Sequence, residues 1–122
     1  MRRMATLVAL ALLMLVAPMA MGAKLTMKVT PNPGGTAETM EAKGTWEVAK
    51  GETFVKITFE TALKDSAQFS TVDGTLAKSK WSAKLILGAA TYTPTKAVLH
   101  FTDAAGKPRN TSVVVTTDIV VK

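Results

Sequence analysis

An all-β fold built from antiparallel strands is what this sequence predicts, and three observations support it. Apolar and polar residues alternate in short runs, the runs recur at intervals of about ten residues, and glycine, proline, asparagine or aspartate stands between them. The chain has no cysteine, so packing and not disulfides must hold its core together. We therefore expect one antiparallel β-sandwich of about seven strands, with a small closed barrel as the alternative.

The first residues have the features of a secretory signal peptide. Arg2 and Arg3 precede the apolar run Leu7–Val16, which is too short to span a bilayer comfortably. Small residues occupy the −3 and −1 positions of a cleavage site after Gly22, and cleavage after Ala23 is the near alternative. An uncleaved membrane anchor is the competing interpretation of the same segment.

We assign residues 1–22 to the signal peptide and residues 23–122 to a single domain. Without Arg2 and Arg3 the domain carries 13 Lys and Arg against 9 Asp and Glu, a net charge of +4. A chain of about 100 residues suffices for one hydrophobic core and not for two. A short leader with two arginines suits bacterial export, so the expected location is the periplasm or the outside of the cell. No integral membrane segment would remain after cleavage.

Three alternating runs follow the leader. Lys24–Thr30 is predicted to be an edge strand, because lysines line its polar face. Thr39–Ala49 alternates in the same way, and Gly44 favours a strand over the competing helix. We expect this run and the next, Thr53–Leu63, to form a β-hairpin across Lys50–Glu52. The predicted inward positions of Thr53–Leu63 are Val55, Ile57, Phe59 and Leu63.

The middle of the chain continues the pattern less regularly. Ala67–Val72 is a weaker strand, and Asp73-Gly74 is a strong turn dipeptide at which we expect the chain to reverse. Thr75–Lys80 fits either a strand or a polar loop. Trp81–Leu87 alternates again and is predicted to be a strand with its tryptophan in the core.

The C-terminal part predicts a pair of long strands, Lys96–Thr102 and Ser112–Val121, joined by the polar turn Asp103–Arg109. Ser112–Val121 is apolar on both faces, so we expect it to lie centrally in a sheet or to be covered by another chain. The run DAAGKP, from Asp103 to Pro108, resembles turns in many bacterial immunoglobulin-like domains, although it identifies no family. The expected sandwich is accordingly immunoglobulin-like.

Catalytic machinery is not indicated. Cysteine chemistry is absent, and the one histidine, His100, alternates with the apolar Leu99 and Phe101, so we expect its side chain to point outward. A triad of Ser112, His100 and Asp103 would lack any nucleophile-elbow sequence. We therefore expect the protein not to be an enzyme.

A metal site has weak candidates only. Met27, Met40 and His100 are the residue types that soft copper sites use, but both methionines fall on predicted core faces. The aspartates are scattered singly and most adjoin turns, which does not indicate a calcium cluster. No cofactor is expected.

The basic residues are the best indication of a partner. Lys78, Lys80 and Lys84 cluster on or near one strand, and Lys107 with Arg109 marks the C-terminal turn as the candidate partner-binding site. An envelope protein, lipid head groups or an anionic polymer would suit such a surface, whereas nucleic acid would not suit an exported domain without interleaved aromatics. The expected function is a non-catalytic binding or structural domain of the cell envelope. The alternatives are a small barrel that carries an apolar ligand and a weak periplasmic copper-binding protein.

Overall fold

Two antiparallel sheets packed face to face make up the fold, which confirms the predicted all-β class. The computed structural model describes residues 14–16, as backbone, and residues 22–122. The strands are β1 (Met14–Val16), β2 (Lys24–Pro31), β3 (Thr39–Glu47), β4 (Thr53–Leu63), β5 (Phe69–Asp73), β6 (Thr75–Ala77), β7 (Lys80–Ile86), β8 (Ala90–Thr102), β9 (Pro108–Val115) and β10 (Ile119–Val121). The first sheet has the order β1-β2-β3-β7-β6; the second has the order β10-β8-β4-β5, and β9 also pairs with β8.

The core lies between the two sheets and is formed by the apolar side of each alternating strand. Leu25 and Met27 enter it from β2, while Phe59 of β4 lies opposite Trp81 of β7, with ring centroids 6.4 Å apart. The described strands therefore form a packed sandwich and not the closed barrel of the alternative prediction. The predicted signal peptide lies outside the described residues except for β1 and Gly22.

The predicted hairpin of β3 and β4 is wrong. These two strands belong to different sheets, because β3 pairs with β2 and β7 whereas β4 pairs with β5 and β8. The chain crosses the sandwich between Glu47 and Thr53, and the two apolar faces meet across the core. Alternation tells which face of a strand is buried, but it does not tell whether the next strand pairs edge to edge or packs face to face.

The reversal expected at Asp73-Gly74 is also wrong. The chain passes there from β5 in the second sheet to β6 in the first. Gly74 N donates to the Ile57 carbonyl at 2.7 Å, and a Cβ on Gly74 would lie 3.3 Å from the Trp81 ring, so the crossing runs close to the core. The reversal comes after β6, where Lys78 takes a positive φ of 59° in the turn to β7.

The C-terminal strands differ from the prediction in length and place. β8 extends back to Ala90 and contains Pro94 at a point where both neighbouring ladders are interrupted, which suits a residue without an N–H. The last predicted strand is two, β9 and β10, separated by residues 116–118. Among the described strands both pair with β8 alone, so this segment forms a sheet edge and is not central. Pro108 begins β9 because an edge strand tolerates proline at its first position.

Two predicted inward residues of β4 point outward. Val55 is 53% exposed and Leu63 is 49% exposed. The pairing of β4 with β8 shifts register between Phe54 and Lys56 and again between Thr61 and Leu63. Each irregularity changes which face the following residue occupies, and a strict period of two cannot anticipate that.

Asn32 ties β10 to the loop between β2 and β3. Its Nδ2 donates to the Lys122 carbonyl at 2.6 Å, and Lys122 N donates to Asn32 Oδ1 at 3.0 Å. Glu38 N donates to the same carbonyl at 2.7 Å. The two sheets are thereby joined by polar contacts at this end of the sandwich.

A buried pair of hydroxyl groups in the second sheet leads to a testable prediction. Thr61 and Thr95 are both 0% exposed, and their Oγ1 atoms lie 2.7 Å apart. Thr61 Oγ1 also donates to the Pro94 carbonyl at 3.3 Å, so the Thr95 hydroxyl donates to Thr61. Thr61→Val would leave that donor unpaired, and we expect it to lower the free energy of unfolding by about 1–3 kcal/mol.

The matched variant is Thr95→Val, which leaves Thr61 with its Pro94 bond and should cost about 1 kcal/mol or less. Urea unfolding of both single variants and the double variant measures the coupling between the two sites. The double variant should be less destabilised than the sum of the single variants. Strict additivity would contradict this account of the hydrogen bonds.

Candidate functional site

The outer side of the first sheet carries a group of lysines that we call the basic face. Alternation turns the apolar residues of β2, β3 and β7 into the core and their polar neighbours outward. Lysine predominates among these outward residues. The basic face consists of Lys24 and Lys28 on β2, Lys43 on β3, and Lys80 and Lys84 on β7.

Strand register brings two of these lysines side by side. Lys28 lies directly opposite Lys43, and the same row continues across the sheet to Ser82 and Thr75. Like charges at directly opposed positions destabilise a sheet. The row therefore joins two positive charges and two hydroxyl groups that could donate to an anion.

Two acidic residues share this face and compensate part of its charge. Glu47 lies opposite Lys24, and Glu41 lies opposite Lys84. The other three lysines of the basic face have no acidic partner in their register. The ion pairs within 4 Å among the described residues lie elsewhere: Lys64–Asp118, Lys96–Glu60 and Arg109–Asp103.

A shallow hollow of about 230 Å³ indents the basic face where β3, β7 and β6 meet. Its lining includes Lys43 and Lys80, with Thr75 and Ser82 between them. The hollow lies between two neighbouring cross-strand rows of the outer face, one that contains Lys43, Ser82 and Thr75 and one that contains Lys80 and Ala77. Most of the exposed surface inside the hollow is apolar, so the capacity of the basic face to bind an anion lies in its lysines and not in this depression.

The predicted partner-binding residues, Lys107 and Arg109, lie at the other sheet. Lys107 is exposed in the turn between β8 and β9. Arg109 Nε donates to Asp103 Oδ2 at 2.9 Å, so its charge is largely compensated within the turn. Asp103 Oδ1 also accepts from Ala105 N and Lys107 N, each at 2.9 Å. The structure thus gives Arg109 a structural contact and does not bring these two residues near the basic face.

The turn contacts predict a dependence of stability on acid. Hydrogen bonds from the Lys107 N–H and the Arg109 side chain lower the pKa of Asp103 from its usual 3.8. Because the pKa is lower in the folded state, the carboxylate stabilises the fold above the unfolded-state pKa, and that contribution disappears as the pH falls through the folded-state pKa. We expect Asp103→Asn to be less stable than the wild type at pH 6, and the difference to shrink as the pH falls through the folded-state pKa of Asp103. Urea unfolding across this range tests the prediction, and a constant difference at every pH would contradict it.

His100 lies on the outer face of the second sheet, as the alternation predicted. Its Nε2 is 3.2 Å from Thr58 Oγ1, and Lys56 is its register partner on β4. Partial burial and then the charge of Lys56 lower the pKa of His100 below 6.5. The side chain is therefore a neutral, cross-strand hydrogen-bonding group at neutral pH.

The structure does not assemble the other chemical candidates. Met27 and Met40 are fully buried in the core, whereas His100 points away from it, so these side chains do not meet. Asp103 is engaged in its own turn and does not support a triad with His100. Within residues 22–122, no three His, Asp or Glu side chains lie close enough to hold a metal ion.

The comparisons with known proteins add no relative. No family model, no curated protein and no solved structure matches the chain. Among the described residues, no helix has the length and apolar character needed to cross a membrane.

Sequence reasoning found part of the basic face. Of the three lysines predicted to cluster, Lys80 and Lys84 belong to it, whereas Lys78 lies in the turn between β6 and β7. Lys28 and Lys43 were not predicted to join them. The available signal was the outward position of lysines in both runs. Their proximity depends on β3 lying between β2 and β7, and strand order is not readable from alternation.

Proposed function

We propose that this chain is an exported, non-catalytic binding domain of the cell envelope whose basic face holds an anionic polymer. The observation that supports this most directly is the group of Lys28, Lys43 and Lys80, three neighbouring lysines without an acidic register partner. Maintaining such a group costs stability unless something else compensates its charge. A polyanion does so without requiring a deep pocket.

The dimensions of the face favour a polymer over a small ion. Four residues along one strand separate Lys24 from Lys28 and Lys80 from Lys84, about 13 Å in each case. β2 and β7 are separated by two strand spacings, about 10 Å. These distances match or exceed the screening length of about 8 Å at physiological ionic strength. A chain with repeating charges can contact several lysines at once, whereas one small ion cannot.

An immunoglobulin-like class for the sandwich is part of the proposal. What supports it is the strand order β2-β3-β7-β6 in one sheet and β9-β8-β4-β5 in the other. When β2 is counted as the first strand, the two sheets have the strand order of an immunoglobulin sandwich, with β5 as one additional strand. Such domains present flat faces and end loops for binding.

Export by a cleaved signal peptide is likewise proposed. The charge and apolar pattern of residues 1–22 supports it.

Binding of inorganic polyphosphate to residues 23–122 tests the polymer-binding function. The variant carries Lys28→Glu, Lys43→Glu and Lys80→Glu, and we expect its affinity to fall by at least about tenfold. The wild-type affinity should decrease steeply as salt is added. Isothermal titration calorimetry at several salt concentrations measures both effects.

The matched control changes the net charge by the same amount, but at lysines that lie outside the basic face. It carries Lys50→Glu, Lys56→Glu and Lys107→Glu. This control should retain most of the affinity, and an equal loss would show that net charge alone is responsible. Binding to vesicles of anionic lipid is measured in parallel. Binding to vesicles without binding to polyphosphate would contradict a polymer as the partner.

A further inference from the structure

β2 has a second edge, away from β3, that another strand occupies. β1 pairs there in antiparallel register, with Met14 opposite Lys28, Leu15 opposite Met27 and Val16 opposite Thr26. β1 also lies against β9 of the second sheet. It therefore covers the side of the sandwich between the edges of the two sheets.

This strand belongs to the segment that we propose is removed on export. Among the described strands β1 pairs with β2 alone, so every other strand keeps a pairing partner without it. Removal would leave the outer edge of β2 without a partner. An unpaired edge presents a row of N–H and C=O groups that can pair with another strand.

The backbone of β2 indicates which groups would become free. The Thr26 carbonyl points towards β3, where it accepts a hydrogen bond from Trp81 Nε1 at 3.0 Å. Backbone groups of successive residues point to opposite edges of a strand. The N–H and C=O of Met27 therefore point to the outer edge, opposite Leu15 of β1.

We propose that the outer edge of β2 is a strand-acceptor site that binds an extended segment of a partner protein once the leader has been removed. The segment would take the place of β1 and pair with β2 in antiparallel register. This inference rests on the proposed cleavage and is independent of polymer binding. The seated strand Met14–Val16 is the observation that defines the site.

Charge and burial define the chemistry of the segment. Met27 is fully buried, so the partner residue on that face must be apolar. Lys24 and Lys28 point to the outer face, where acidic partner residues would be favoured. A second copy of β2 would instead bring two more lysines to the same edge, so we assign the site to a different protein with alternating apolar and acidic residues.

Hydrogen exchange of the Met27 amide provides the test. Isotope-labelled residues 23–122 are mixed with a short peptide of alternating Glu and Val. We expect exchange of the Met27 amide to slow by at least about tenfold, while the full chain binds the same peptide at least about tenfold more weakly because β1 competes at high effective concentration. The control peptide is methylated on the backbone nitrogens that would donate hydrogen bonds to β2. This peptide should not bind.

A second variant keeps the test valid if residues 23–122 fold poorly. Leu15→Pro in the full chain removes the N–H opposite Met27 and should restore peptide binding. Lys80→Glu should weaken polyphosphate binding and leave peptide binding unchanged, which separates this site from the basic face. An unchanged Met27 exchange rate, equal binding of the methylated peptide, or a peptide-free dimer that protects Met27 would each overturn the proposal.

Discussion

We expect Gly44→Ala to lower the free energy of unfolding by about 2–6 kcal/mol, one of the largest effects of any single methyl group in this protein. Gly44 lies on β3 between β2 and β7. A Cβ at this position would overlap the Thr26 carbonyl oxygen and come within contact distance of Trp81 Nε1. These are the two atoms of the hydrogen bond that crosses β3 at 3.0 Å.

The cost has two physical sources. Moving β2 away from the new methyl group disturbs packing at about 1–3 kcal/mol. Separating Trp81 from Thr26 leaves a buried indole N–H unpaired, at about 1–3 kcal/mol more. Trp81 is itself a core residue, so neither strand can shift without disturbing the interior.

The matched control is Gly88→Ala, since the nearest atom to a Cβ there is the Tyr92 hydroxyl oxygen, at 3.9 Å. We expect this variant to remain within about 0.5 kcal/mol of the wild type. Thermal and urea unfolding of both variants measure the difference. Wild-type stability in Gly44→Ala would show that the three strands do not pack as closely as described.

Phe59→Ala should also destabilise strongly, by about 3–5 kcal/mol. Phe59 is 0% exposed at the centre of β4 and faces Trp81 across the two sheets. Removing the ring leaves a cavity between sheets whose backbones are held apart by the remaining side chains. A close-packed interior of this kind collapses only partly around a cavity.

Phe69→Ala is the matched control on the neighbouring strand β5. Phe69 is 40% exposed, and its ring has Lys96 Nζ 5.3 Å from the centroid. Its loss should cost about 1 kcal/mol or less. Urea unfolding compares the two variants, and their m values should be unchanged. If Phe59→Ala does not fold, Phe59→Leu takes its place in the comparison. Equal effects at the two phenylalanines would contradict the assigned core.

Alternation allowed several strands to be predicted closely, because burial of one face requires a period of two. β4 was predicted with the bounds that the structure shows, Thr53–Leu63. What alternation does not encode is the identity of a strand's neighbours. β3 and β4 have clear periods, yet they lie in different sheets. Pairing depends on which edges remain free after the other strands have packed.

The candidate site also depends on which strands are neighbours, which alternation does not encode. Lys80 and Lys84 are near in sequence, so their clustering could be predicted. Lys28 and Lys43 join them only through register, which depends on long-range pairing of β2, β3 and β7. The Asp103–Arg109 contact was likewise not predicted, because an acceptor for one guanidinium requires the geometry of the whole turn.

The way the chain alternates between the sheets has a consequence for folding. β2 and β3 belong to the first sheet, β4 and β5 to the second, β6 and β7 to the first, and β8 to β10 to the second. Neither sheet can be completed from one half of the chain. The first sheet is complete once β7 has emerged, but the second lacks β8 to β10, so a nascent chain cannot close the core until its last strands have left the ribosome. We expect folding to be slow, late and all-or-none, because most stabilising contacts join distant parts of the sequence.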